Sequence, residues 1–195
     1  AVASFAGCDE VDDPYAHLDE FISETGDVRF NDTVYNDTTL STRGILLEDF
    51  TGHTCPNCPV AQDESKKLIE DNPGVVWAVA IHAGNFAEPD LPDFPADFRT
   101  NTGEDLRVKF RIASFPSGVI NRSEWNGTIP QGHQLWENIV NTQKADAAYM
   151  APRFKIRSTN IYNTESRIFR VIPEIEALSS VSGEIFFIIM LAENG

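Results

Sequence analysis

The pattern of apolar and polar side chains changes near Gly44. Before it, residues 9–43 are mostly polar, rich in Asp, Asn, Thr and Ser, and only short pieces such as 28–30 look like a strand. That pattern predicts a tether entering a peripheral strand. After it, residues 45–50 read as a strand, 51–57 as a polar turn and 58–70 as a helix stopped by Asn72-Pro73-Gly74. The run Val75-Val76-Trp77-Ala78-Val79-Ala80-Ile81 is apolar without a break, as in a parallel strand covered on both faces. Together these pieces predict a β-α-β unit. Its functional edge should lie beyond the carboxyl ends of the strands, where the turn 51–58 sits.

Pro89, Pro92 and Pro95 exclude a long helix from residues 84–101, which read as an irregular insertion. A helix is expected next, with Thr102 as N-cap, Glu104 and Asp105 in its first turn, and Leu106, Phe110 and Ile112 facing the core. Ser114-Phe115-Pro116-Ser117 then precedes a short strand at 118–121, and Trp125-Asn126-Gly127 marks a hairpin turn. Residues 132–148 predict a helix with Leu135, Trp136, Ile139 and Val140 on one stripe. Residues 153–159, 167–175 and 184–191 read as strands with no helix between them, the signature of an antiparallel sheet in a second domain. Because Asn194-Gly195 is a hairpin signal without a return strand, this β region (149–195) is expected to be incomplete.

Composition narrows the function classes. With 42% hydrophobic residues the 195-residue chain has enough apolar material for a packed core. Its formal charge of −15 is the wrong sign for gathering phosphates, so no nucleic-acid partner is expected. The imbalance is concentrated early, since residues 1–40 hold ten acids against Arg29 alone. No apolar run reaches the roughly 20 residues of a membrane-spanning helix.

The start of the chain carries a different membrane signal. Small residues lead to Phe5-Ala6-Gly7-Cys8 and then to Asp9, Glu10, Asp12 and Asp13. This resembles a bacterial lipobox at the end of a signal peptide, with Phe5 in the usual place of a leucine. The resemblance implies that residues 1–8 are a signal-peptide remnant and lipobox, that Cys8 is the lipidated residue, and that 9–43 is an acidic tether.

The strongest chemical signal is Cys55-Pro56-Asn57-Cys58. Two thiols at this spacing, at the mouth of a helix, can close a small ring, and the helix N-terminus favours a thiolate there. The same motif can be half of a zinc site, but zinc normally needs four ligands, and no second C-x-x-C or His-x-x-x-His is present. Redox pairing is the better reading. His53 and His82, near the turn and at a strand end, leave open a soft-metal site for copper or zinc with Cys55 and Cys58. More simply, His53 tunes the thiolate and His82 caps a strand.

The order of Leu46-Leu47-Glu48-Asp49-Phe50, a C-x-x-C opening a helix, a buried strand and a later Phe115-Pro116-Ser117 resembles the thioredoxin fold over residues 44–148. That resemblance implies an α/β domain in which Cys55 attacks, Cys58 resolves and a cis Pro116 faces them. It also implies that Asp49 exchanges protons with the resolving cysteine. Burial in an apolar strand should raise its pKa. Thr54 stands where the family has an aromatic residue, and Pro56-Asn57 where it has Gly-Pro. The longer stretch from Leu47 to Pro59, with Ala80-Ile81-His82-Ala83-Gly84, resembles the twenty-eight-kilodalton outer-membrane lipoprotein family, in which a thioredoxin-like domain precedes a β-sandwich-like region. The expected protein is thus an outer-membrane lipoprotein of a Gram-negative cell, lipid-anchored and facing periplasm or cell surface. It would exchange disulfides with client or redox-partner proteins and need no cofactor beyond a redox-active disulfide. The alternative is a non-catalytic surface binding or adhesion lipoprotein in which Cys55–Cys58 is a structural clip.

Overall fold

The computed structural model describes residues 27–31, 42–164 and 166–192. Cys8, the acidic run after it and most of the expected tether lie outside the described residues. The chain divides into two compact units, the first built on residues 44–150 and the second on 151–191 with β1 (Asp27–Asn31). The boundary falls after Met150, two residues beyond the expected one.

The first unit is a mixed α/β layer structure. Its four-stranded sheet has the order β3-β2-β4-β5, from β2 (Ile45–Thr51), β3 (Val76–His82), β4 (Ser117–Ile120) and β5 (Pro130–Gln131). The β2-β3 pair is parallel, joined through α1 (Cys58–Asp71), whereas β4 runs antiparallel to β2 and β5 to β4. The expected β-α-β unit is therefore present. β3, expected to be covered on both faces, is instead an edge strand, half-buried from Trp77 to Ala80. β4 is buried at every position, and β2, between β3 and β4, is buried except at Leu46 and Thr51, although Glu48 and Asp49 interrupt its apolar run.

Strand alternation divides the core into two layers. Ile45 and Leu47 point into a cluster with Ala61 and Leu68 of α1 and with Trp136, Ile139 and Val140 of α3 (Trp136–Ala145). Phe50 joins the opposite cluster with Ile81, Val119, Phe110 and Ile112, beside α2 (Asn101–Lys109). Gly118 lies against the Trp136 indole so closely that no Cβ fits there, and the indole Nε1 donates to the Gln131 carbonyl at 3.0 Å.

Several local expectations need correction. The α2 cap is Thr100, whose hydroxyl accepts from the Gly103 N–H at 2.9 Å; Thr102 lies inside the helix. The predicted helix 132–148 is broken at Asp146, whose backbone is extended, so a 3₁₀ turn, α3 and the short α4 (Ala147–Met150) share its length. Leu135 sits in the 3₁₀ turn, off the helical stripe, and is exposed.

In the second unit β1, β6 (Phe154–Asn163) and β7 (Ile168–Ala177) form an antiparallel sheet in the order β1-β6-β7. The sequence predicts a strand at residues 184–191, and the structure forms none there. Among the described residues no strand pairs with them, and an apolar run without a ladder partner has no hydrogen bonds to hold it extended. Phe186 is 79% exposed. No helix among the described residues is long and apolar enough to cross a membrane.

Candidate functional site

β2 delivers the chain to the carboxyl edge of the sheet, where Gly52 begins a tight turn. The Cys55 N–H donates to the Gly52 carbonyl at 3.1 Å, and the Cys58 N–H to the Cys55 carbonyl at 3.3 Å. Cys58 is the first residue of α1, and Pro59 in the first turn needs no hydrogen-bond acceptor. Cys55 and Cys58 form a disulfide with Cα atoms 5.4 Å apart. Each is only 5% exposed, whereas Pro56 and Asn57 between them are open to solvent.

Asp49 shares a face of β2 with Ile45 and Leu47, the face that α1 covers. It is 3% exposed and its Oδ1 has no hydrogen-bond partner. Burial pushes its carboxyl up to about 7. The Phe115-Pro116 bond is cis. Ser117 pairs with Phe50 in the sheet, so Pro116 stands at the edge where β2 ends and the cysteine turn begins.

The insertion was the part of the site that sequence reading missed. The Phe86 carbonyl accepts from both the N–H and the hydroxyl of Thr54, each at 3.0 Å. Gly52 lies directly beneath the Phe86–Ala87 peptide, where any Cβ would overlap the Phe86 carbonyl. Gly84, at φ 66°, turns the chain into this segment, and the Phe86 ring meets Phe115 edge-on at 6.0 Å. Farther along, the His53 ring lies 5.5 Å from both Phe94 and Phe98, and Phe98 is 5.3 Å from His82. The available signal was composition, because a solvated loop has no reason to carry Phe86, Phe94 and Phe98 among its prolines and acids.

His53 and His82 are brought together, with ring centroids 6.3 Å apart. Both His53 nitrogens and the His82 Nδ1 are buried without hydrogen-bond partners. Burial, and then the neighbouring His53, lower the His82 pKa. The four-residue soft-metal arrangement is not assembled. Among the described residues no group of three or more His, Cys, Asp or Glu side chains is disposed to hold a metal ion, and the two sulfurs are bonded to each other.

No protein-family model and no curated protein matches the chain. Solved structures with a similar course do exist. One, a protein of Agrobacterium tumefaciens from a structural-genomics programme, has 12% identity and a TM-score of 0.43, with 60% of this chain and 55% of that one covered. Another, HBP35 of Porphyromonas gingivalis, has 16% identity and a TM-score of 0.42, with 63% and 43% covered. The chain thus spans about half the length of these solved proteins.

Proposed function

We propose that residues 44–150 are a thioredoxin-like thiol–disulfide exchange domain, carried by a lipid-anchored outer-membrane protein of the twenty-eight-kilodalton lipoprotein type. The observation that carries this reading is the convergence at one sheet edge. A C-x-x-C disulfide heads α1, Asp49 offers a buried carboxyl whose Oδ1 has no partner among the described residues, on the α1 side of β2, and cis Pro116 immediately precedes the neighbouring strand β4.

In the oxidising direction a client thiolate attacks the Cys55 sulfur, forming a mixed disulfide and breaking the Cys55–Cys58 bond. Cys58 leaves with the bonding electron pair and takes a proton, which the Asp49 carboxyl supplies. A second client thiolate then attacks the client sulfur of the mixed disulfide and expels Cys55. The client ends oxidised by two electrons and the domain holds two thiols. A carboxyl near 7 is matched to that proton transfer at neutral pH.

The low exposure of Cys55 and Cys58 favours one second reading, a static clip in a non-catalytic binding lipoprotein. The two readings separate in one experiment. Cys58→Ser, challenged with insulin as a disulfide-bearing probe, should hold insulin on Cys55 as a persistent mixed disulfide, with a wild-type potential above about −300 mV. No trapped adduct and a far lower potential would establish the clip. The anchor is tested separately: mass spectrometry of the protein from envelope membranes should find Cys8 as a diacylglyceryl-modified N-terminus. An unmodified peptide running through Gly7-Cys8 would remove the anchor from the reading.

A further inference from the structure

The insertion does more than cover the cysteine turn, because its outer side combines exposed apolar groups with unneutralised acid. Its carboxylates fall into two classes. Glu88 and Asp97 share the one Arg99 guanidinium, at 2.8 Å each, which offsets one of their two charges. Asp90 and Asp93 have no cation partner among the described residues and are open to solvent. They flank the tip of a small hairpin closed by paired backbone bonds, Asp90 N–H to Phe94 carbonyl at 2.8 Å and the reverse at 2.7 Å.

Leu91 projects from that tip, 75% exposed, and Phe86 and Phe94 are also exposed large apolar residues. This surface adjoins the disulfide. Phe94 packs on His53, two residues before Cys55, and Phe86 is hydrogen-bonded to Thr54, one residue before it. Leucine and phenylalanine side chains left in water beside a reactive pair are the kind of apolar material that peptide-docking surfaces use. The two free carboxylates select the sign of the partner, by attraction of cations and repulsion of anions.

We propose that Phe86, Leu91 and Phe94, with Asp90 and Asp93, dock an extended cysteine-bearing segment of a client protein whose apolar side chains are flanked by lysine or arginine. The proposal rests on the exchange reading above and names the partner for it. Apolar contact would hold the client cysteine beside Cys55, and the carboxylates would raise the encounter rate of basic segments.

The test uses the oxidised wild-type chain and two synthetic five-residue peptides. Each has a central cysteine between leucine and phenylalanine; one is flanked by lysines and the other by glutamates. Initial rates of Cys55–Cys58 reduction at low ionic strength are divided by each peptide's rate with hydroxyethyl disulfide, which removes differences in thiol acidity. The lysine peptide should then react on the order of tenfold faster, and 0.5 M salt should erase most of that preference. Asp90→Asn/Asp93→Asn should cut the preference to about twofold. Glu70→Gln/Glu124→Gln, which removes two charges from the far ends of α1 and the sheet, should leave it intact. Leu91→Ser, at the exposed tip, should slow both peptides alike by several-fold. A normalised preference below about twofold in the wild type, or one untouched by the Asp90/Asp93 substitutions, would overturn the docking surface while leaving exchange standing. A disulfide that neither peptide nor dithiothreitol reduces in the native protein would overturn exchange itself, and docking with it.

Discussion

Arg122→Met should lower the stability of the first unit by about 3–5 kcal/mol, among the largest losses available from one side chain in this fold. Glu48 has no solvent exposure at all, and its two oxygens are held by Arg122 Nη2 at 2.6 Å and Nε at 2.8 Å. The guanidinium also lies over the Phe110 ring, 5.3 Å from its centroid. Methionine keeps most of that apolar contact and removes the charge, leaving a carboxylate stranded in the central strand. The cost is the stranded ion, and the worth of the pair is a separate quantity. Glu48→Leu/Arg122→Met should therefore recover most of the loss, because two apolar side chains of similar volume have nothing left to desolvate. Urea unfolding followed by tryptophan fluorescence isolates the relevant unit, since Trp77, Trp125 and Trp136 all lie within residues 44–150. A double substitution as unstable as the single one would show that Arg122 acts through its own packing, without the ion pair.

This pair also shows where sequence reading stops. The strand, helix and strand between Ile45 and His82 were legible because apolar runs, Pro59 and Asn72-Pro73-Gly74 all marked boundaries consistently. The cysteine spacing announced a disulfide-sized turn. Period-two alternation puts Glu48 and Asp49 on opposite faces of β2, but it cannot say that one meets an arginine 74 residues away and that the Oδ1 of the other has no partner among the described residues. That difference is set by the antiparallel return of β4, whose end carries Arg122 in the left-handed region at φ 52°. The insertion failed for a related reason. Its three prolines correctly excluded a long helix, but they say nothing of the surface against which Phe94 and Phe98 pack. The histidines are intermediate: His53 and His82 could be placed near the turn from topology, yet their enclosure by insertion rings depends on contacts that no spacing encodes. At 184–191 the error ran the other way, since apolar content predicts a strand whether or not a partner strand is present.

The second large effect concerns pH. Wild-type stability should fall as pH rises from about 4 to about 7, and Asp49→Asn should remove that fall. In the unfolded chain the Asp49 carboxyl titrates near 3.8, whereas in the fold burial raises it to about 7. Between those values the native protein holds a proton that the unfolded chain has lost, so each step upward in pH favours unfolding. Stability from the neutral carboxyl is fully present below 3.8 and fully lost above 7, a span worth on the order of 4 kcal/mol. Asp97, held low by Arg99, and Glu104, held low by the Gly84 N–H and then by Arg107, give the opposite slope in acid, and His82, lowered by burial and then by His53, gives it up to 6.5. All three are present in either protein, so the difference between the two urea-unfolding curves, measured at intervals from pH 4 to 8, isolates Asp49. The same substitution separates fold from chemistry. If Asp49 feeds a proton to Cys58, the rate of exchange with a small dithiol should lose its titration near 7 in Asp49→Asn, even though the substituted protein is the more stable of the two at neutral pH. A gain in stability with an unchanged rate profile would leave Asp49 a buried strand residue and take the proton donor out of the mechanism.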